Sequence, residues 1–393
     1  LRYLYSRFGD WRLALAAYGA RDPAEVEEAW PGQRPPYAAL FAWLDGAAPR
    51  PEIVEAPVFR PLMLANPLED ADLAKLAPLL AGYAAEWKWD GIRVQISAGP
   101  TGAQLFSRAG EAIGAAFPEI VEAALVWAGR PATVLDGELL VVREGEVASF
   151  NDLQQRLGRK APTARLLREH PAHVHLYDLL LDQGQDLRPL PFTERRARLE
   201  ALVARDRPAR MDLPALVPVT GLDELDRLRR EARGSTIEGL MLKRRDSPYV
   251  AGRPKGSWWK WKRDPHTLDV VVMYARRGHG LRSSFYSDYT FGCWRTSPDG
   301  REELVPVGKA YSGFTDAELR RLDRWVRERT TARFGPVREV APGLVLEVAF
   351  DSVHRSPRHK SGVALRFPRV HRIRWDKPAS EADRLATLEA LIR

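Results

Sequence analysis

Glu86-Trp87-Lys88-Trp89-Asp90-Gly91-Ile92-Arg93 sets the pattern for the whole chain. Side chains on a β-strand alternate between its faces, so Glu86, Lys88 and Asp90 are expected on one face and Trp87 and Trp89 on the other. A lysine set between carboxylates, backed by indoles and followed by glycine and arginine, suits an amine that reacts. An amine is a nucleophile only when deprotonated, so its surroundings or its bound substrate must disfavour the ammonium form. Taken alone, Lys-x-Asp-Gly is four loose letters, and a surface lysine on an edge strand is the plainer reading.

Six further short motifs follow in order and change that balance. They are Ser107-Arg108, Asp136-Gly137-Glu138, Tyr177-Asp178-Leu179-Leu180, Glu238-Gly239-Leu240-Met241-Leu242-Lys243 and Trp259-Lys260-Trp261-Lys262. The last is Arg366-Phe367-Pro368-Arg369 with Asp376-Lys377. Period two puts Asp136 and Glu138 on one strand face, and Lys260 and Lys262 opposite Trp259 and Trp261. A buried indole face would fix that last strand while two ammonium groups point at phosphate.

Bulk properties narrow the class. A length of 393 residues predicts two or three domains, and 45% apolar with 28% charged residues is ordinary for a globular chain. No apolar run approaches the ~20 residues of a membrane helix, and no secretory leader opens the chain, so no membrane partner is expected. The single cysteine, Cys293, excludes an internal disulfide and a cysteine-based zinc site and fits a reducing cytoplasm. Cys293 lies in an apolar and aromatic stretch and reads as inert core.

The net charge of +8 favours a polyanionic partner. The competing explanation is a coding bias toward arginine, since the chain is rich in Arg, Ala and Pro. Distribution separates the two better than the total. Between Arg355 and Lys377 eight basic residues face a single carboxylate, Asp376, and such a run favours phosphate contacts.

The predicted architecture is α+β. Residues 1–56 read as a helical segment, with Asp22-Pro23 as N-cap and first helical residue and Gly46–Pro51 as a linker. Residues 57–263 alternate strands and helices, including strands at 134–142, 173–181, 237–243 and 257–263 and helices at 194–203 and 222–232. No Gly-x-x-x-x-Gly-Lys-Ser/Thr loop is present. Residues 264–393 turn to short strands at 268–275, 287–295, 303–310 and 344–350. One helix at 315–330 interrupts them, with a Thr315/Glu318 capping box. Short strands around one helix suggest a small OB-type barrel.

The ordered motif set resembles motifs I, Ia, III, IIIa, IV, V and VI of the covalent nucleotidyltransferases: DNA ligases, RNA ligases and mRNA capping enzymes. It looks closest to the ATP-dependent DNA ligases, and among these to the bacterial accessory B-type enzymes, over residues 57 to 393. The resemblance implies an adenylation domain with antiparallel sheets at 57–263 and an OB-fold barrel at 264–393. The 1–56 helices are then expected to be the end of a truncated DNA-binding domain, the alternative being a short helical extension packed on the core.

It further implies ATP and Mg²⁺ as cofactors, with AMP carried on Lys88 of the Lys88-x-Asp90 motif. Glu86, Arg93, Arg108, Glu138, Tyr177, Met241, Lys260 and Lys262 would bind nucleotide, and Glu138 and Glu238 would hold metal. Arg366, Arg369, Asp376 and Lys377 would orient the β,γ-phosphates. Ala109 stands where family members often carry Asn. Arg263-Asp264-Pro265 would be the hinge, with Pro265 restricting Asp264.

The implied partner is nicked duplex DNA, bound by a monomer in DNA repair, with association to a repair helicase or nuclease. Two other readings stay open at this point: an RNA ligase or capping-type nucleotidyltransferase, and a non-catalytic nucleic-acid-binding protein that keeps the fold.

Overall fold

The computed structural model describes residues 2–30, 33, 35–51, 57–159, 161–232, 236–278, 284–357 and 359–392. The expected end of the helical segment at residue 56, and Arg358 of the basic run, lie outside the described residues. The chain divides into two compact units, Leu1–Arg263 and Asp264–Arg393. Among the described residues no helix is long and apolar enough to cross a membrane.

The first unit opens with four short helices, Arg2–Phe8, Trp11–Gly19, Pro23–Ala29 and Ala38–Leu44. Asp10 caps the second by accepting from the Arg12 and Leu13 amides, and Asp22 caps the third by accepting from Ala24, with Pro23 in the first turn. They enclose a small core of their own around Leu15, Val26, Leu40 and Trp43.

Two antiparallel sheets follow. The smaller is ordered Asn66–Pro67, Trp258–Lys262, Ile237–Arg244, Tyr83–Trp89, with only the first pair parallel. The larger runs Gly102–Ser107, Ile92–Gly99, Thr133–Arg143, Ala172–Asp182, Gln185–Asp186. A two-residue strand, Met211–Asp212, lies parallel to its Ala172–Asp182 strand. The main core lies between this larger sheet and the helices Pro118–Ala124 and Phe192–Asp206, filled by Val94, Ile120, Trp127, Leu139, Leu176 and Leu199. Each such fully buried side chain contributes ~1.5–3 kcal/mol relative to exposure, which makes this sheet a rigid support.

In the second unit the strand His266–Arg277 pairs with Val345–Phe350 along its first half and with Val337–Val340 along its second. Tyr286–Thr296 and Glu302–Ala310 extend one side, and Arg369–Arg374 joins Val345–Phe350 on the other. The helix Asp316–Arg329 carries the Thr315/Glu318 capping box and buries Leu319, Leu322 and Val326 in the core these strands enclose. This is the OB-type arrangement of curled antiparallel strands around one core. Cys293 is wholly buried within it.

Candidate active site

Three neighbouring strands line up the lysines. Register places Lys88, Gly239 and Lys262 in one row of the small sheet and Glu86, Met241 and Lys260 in the next row on that face. The intervening row, Trp87, Leu240 and Trp261, turns to the apolar core beneath. The alternation of Lys and Trp thus anchors the sheet by its indoles and presents its ammonium groups on the other side.

Gly239 makes that geometry possible. Its φ of +144° disfavours L side chains, and a Cβ there would lie 2.2 Å from the Trp261 carbonyl oxygen. A register shift between Ile237 and Gly239 lets Glu238 reach two lysines: Lys88 Nζ at 2.5 Å and Lys262 Nζ at 3.2 Å. Burial alone would raise the Glu238 carboxyl, but Lys88 and Lys262 outweigh it and hold the group well below the ordinary carboxylate range.

The larger sheet supplies the facing residues. Arg93 and Glu138 are register partners. Arg93 donates to the Met63 carbonyl and to Asp136 Oδ2, both at 2.7 Å. Asp136 also accepts from Tyr249 at 2.5 Å and from Gln95 at 3.1 Å. The two carboxylates of Asp136-Gly137-Glu138 therefore divide: Asp136 is a fully buried clamp on Arg93, while Glu138 lines the open space. Burial pushes the Glu138 carboxyl up to about 7, against the opposing pull of Lys88 and Arg93.

Together these walls enclose a cavity of about 470 Å³, within the usual range for small-ligand sites. Eight cationic side chains line it against three carboxylates, Glu86, Glu138 and Glu238. Burial and repulsion from Arg253, Lys262, Lys88 and Arg108 lower the Lys260 ammonium, so an anion placed here relieves a crowd of like charges. Two buried donors on the wall, Arg93 Nε and Trp258 Nε1, have no hydrogen-bond partner among the described residues. Such orphans are costly unless a ligand satisfies them.

Tyr177 is on the same wall, with Lys243 Nζ 4.5 Å from its ring centroid. Lys243 is itself almost fully buried, ion-paired to Glu86 at 2.7 Å and set over Phe192 and Trp258. Burial lowers its ammonium against the pull of Glu86 and Asp178.

The cavity gathers Glu86, Lys88, Arg93, Arg108, Glu138, Tyr177, Glu238, Met241, Lys260 and Lys262. Asp90 corrects the expectation of a shared face with Glu86 and Lys88. The strand ends at Trp89, and the Asp90 amide donates to the Thr236 carbonyl at 2.8 Å. The Asp90 side chain is buried at the turn, outside the cavity lining.

The remaining candidates belong to the second unit. Arg369 pairs with Asp351 at 3.3 Å, Asp376 with Arg374 at 2.9 Å, and Lys377 with Asp269 at 2.7 Å. Arg366 ends the strand Val363–Arg366, with its guanidinium 5.1 Å from the centroid of the exposed Phe367 ring.

Sequence reasoning missed Lys243, Arg253, Trp258 and His175 on the cavity wall. Lys243 and Trp258 each lie two residues from a named neighbour, so strand period gave a usable signal. Arg253 sits on a loop held by the paired backbone of Leu62, Leu64 and Gly252, and nothing local marks it.

Comparison with known proteins bears on the same residues. Residues 62–262 match the ATP dependent DNA ligase domain, and residues 282–377 match the ATP dependent DNA ligase C terminal region. A "Probable DNA ligase" of Koribacter versatilis is 39% identical over 359 residues, covering 86% of this chain and 61% of the relative. A "Probable DNA ligase" of Kineococcus radiotolerans is 37% identical, covering 90% of this chain and 68% of the relative. The chain thus spans about three fifths of the first relative's length. A solved Lig E DNA ligase structure, 19% identical, aligns with a TM-score of 0.54 over 80% of this chain and all of its own, a likeness of fold. With two family regions matched in series and the Lys88 motif set inside the first, the chain belongs to the ATP-dependent DNA ligase family.

Proposed function

We propose that this chain seals 5′-phosphate/3′-hydroxyl nicks in duplex DNA at the expense of ATP, through AMP carried covalently on Lys88. The observation that carries the reading is Lys88 itself: an amine ion-paired to Glu238 on the wall of a cavity dominated by cations.

The residues present fit ATP. The phosphates would displace repulsion among Lys260, Lys262 and Arg253, and Arg93 Nε offers an unsatisfied donor to the nucleotide. Tyr177, steadied by Lys243, gives the base an aromatic surface. Glu86, fixed by Lys243 and Arg196, presents a carboxylate beside it.

They also fit Mg²⁺, a hard cation that takes oxygen donors, through Glu138 and Glu238. When bound, the ion neutralises charge on the transferring phosphoryl group.

In the first step the Lys88 amine, having lost its proton, attacks the α-phosphorus. The N–P bond forms, the bond to the bridging oxygen breaks, and pyrophosphate leaves. Glu238 is the group that gives up Lys88 for this, since the amine cannot attack while its lone pair is protonated and ion-paired. A 5′-phosphate oxygen of DNA then takes AMP from Lys88, and the 3′-hydroxyl displaces AMP as the phosphodiester forms.

For Arg366, Arg369, Asp376 and Lys377 we propose, on the family resemblance, a role in orienting the β,γ-phosphates during the first step. A monomer acting in DNA repair, with a helicase or nuclease as partner, rests on family resemblance alone.

The test is incubation with α-labelled ATP and Mg²⁺, then denaturing electrophoresis and acid treatment. Acid-labile label on the wild type and none on Lys88→Arg is the expected result, since arginine keeps the charge and loses the nucleophile. Label retained by Lys88→Arg sinks the assignment, and preferential labelling by GTP sinks the choice of nucleotide.

A further inference from the structure

We propose that His173, His175 and Asp212 form a zinc-class divalent metal site, separate from the carboxylates that face the nucleotide cavity. His173 and His175 are two residues apart on the strand Ala172–Asp182, so both rings project from one face. Their centroids are 5.5 Å apart. Asp212 is delivered by the short parallel strand Met211–Asp212, in register with His175.

The carboxylate splits between the two rings. Oδ2 lies 3.2 Å from His173 Nε2, and Oδ1 is hydrogen-bonded to His175 Nδ1. One donor atom from each of the three residues falls within 4.8 Å of the others. Metal bonds of ~2.0–2.1 Å at tetrahedral angles put donor atoms about 3.3 Å apart, so small side-chain rotations close the set on an ion.

The chemistry selects the ion. Two imidazoles and a carboxylate suit zinc and its neighbours in the first transition row, whereas Mg²⁺ prefers all-oxygen sites. Three protein ligands leave a position for water, and the Asp212 side chain is 55% exposed, so an ion reaches it from solvent. The alternative is a carboxylate that merely bridges two imidazoles by hydrogen bonds. That role is compatible with the same distances, and metal titration separates the two.

The site has a structural consequence. Pro214 and Ala215, just beyond Asp212, line the nucleotide cavity, and so does His175, whose ring is 4.7 Å from that of Trp89. An ion here would pin that wall to the larger sheet.

The test reads metal binding and owes nothing to ligation. The 393-residue chain, freed of metal by chelation, is titrated with Zn²⁺ by calorimetry and with Co²⁺ by visible absorption. One equivalent of Zn²⁺ is expected at micromolar affinity, undisturbed by millimolar Mg²⁺, with Co²⁺ bands of an imidazole-containing low-symmetry site. Since losing an outer-shell partner already weakens metal affinity ~10–100-fold, His173→Gln and Asp212→Asn should each weaken Zn²⁺ at least tenfold.

Metal-free melting temperatures of both variants should match the wild type. If one does not, the Co²⁺ spectrum of the unaltered protein decides: ligand-field bands support the site, and their absence overturns it. Stoichiometric Zn²⁺ binding that survives both substitutions, or none at micromolar concentration, also overturns it.

Discussion

Asp178 and Arg195 are both without solvent exposure, and they meet through two hydrogen bonds of 2.8 and 3.0 Å. Asp178 sits one residue beyond Tyr177, so the pair also holds the aromatic wall of the cavity. Removing one partner of a buried pair leaves an uncompensated charge, at a cost of ~3–5 kcal/mol. Asp178→Ala should therefore lower unfolding free energy by about that amount in a urea titration. A loss below ~1 kcal/mol, the scale of an exposed pair, would mean water reaches Arg195. Cys293 makes the opposite kind of prediction. Burial pushes its thiol up to about 12, so the reactive thiolate stays scarce throughout neutral and mildly alkaline pH. Labelling by a thiol reagent should be far slower in the folded protein than in denaturant at both pH 7 and pH 9. Fast labelling of the folded chain would contradict the burial.

At the scale of the element, Gly239 is where sequence and site are joined most tightly. Gly239→Ala would force a methyl group into the backbone of the Trp258–Lys262 strand at a φ of +144°. Strain of this kind costs ~1–3 kcal/mol, and relief by strand displacement would carry Lys260 and Lys262 out of line with Lys88. Gly99→Ala is the control, since nothing lies within 4 Å of its added Cβ. The expected result is a lower melting temperature and slower lysine labelling for Gly239→Ala, with Gly99→Ala near wild type. Equal behaviour of the two would remove the steric argument.

The small sheet was legible because it is amphipathic at period two: Trp259-Lys260-Trp261-Lys262 announces both its core face and its charged face. The hairpin strand Ile92–Gly99 gave no such signal. Its residues from Val94 to Ala98 are buried on both faces, so periodicity vanishes. Met211–Asp212 is only two residues long and is defined wholly by its neighbour, which no local pattern encodes. Asp90 misled for a related reason, because period two was carried one residue past the end of the strand.

For the whole molecule the question is what the +8 charge does. The first unit concentrates cations around a cavity sized for one small ligand. That arrangement suits a small anionic ligand and does not by itself account for the basic run of the second unit. There Arg369, Arg374 and Lys377 already have acidic partners, while Lys360 stands exposed on the turn between two paired strands. If the run is a DNA footprint, log affinity for nicked duplex should fall linearly with log salt, by ~0.9 per phosphate neutralised. Lys360→Ala should then reduce the slope by about one while leaving self-labelling with ATP unchanged, because that step involves no DNA. Fluorescence anisotropy across a salt series measures the slope, and the α-label assay provides the second readout. A slope unchanged by Lys360→Ala would remove that residue from the footprint. A slope near zero in the wild type would make the basic excess a matter of arginine-rich composition, with the DNA held by other means.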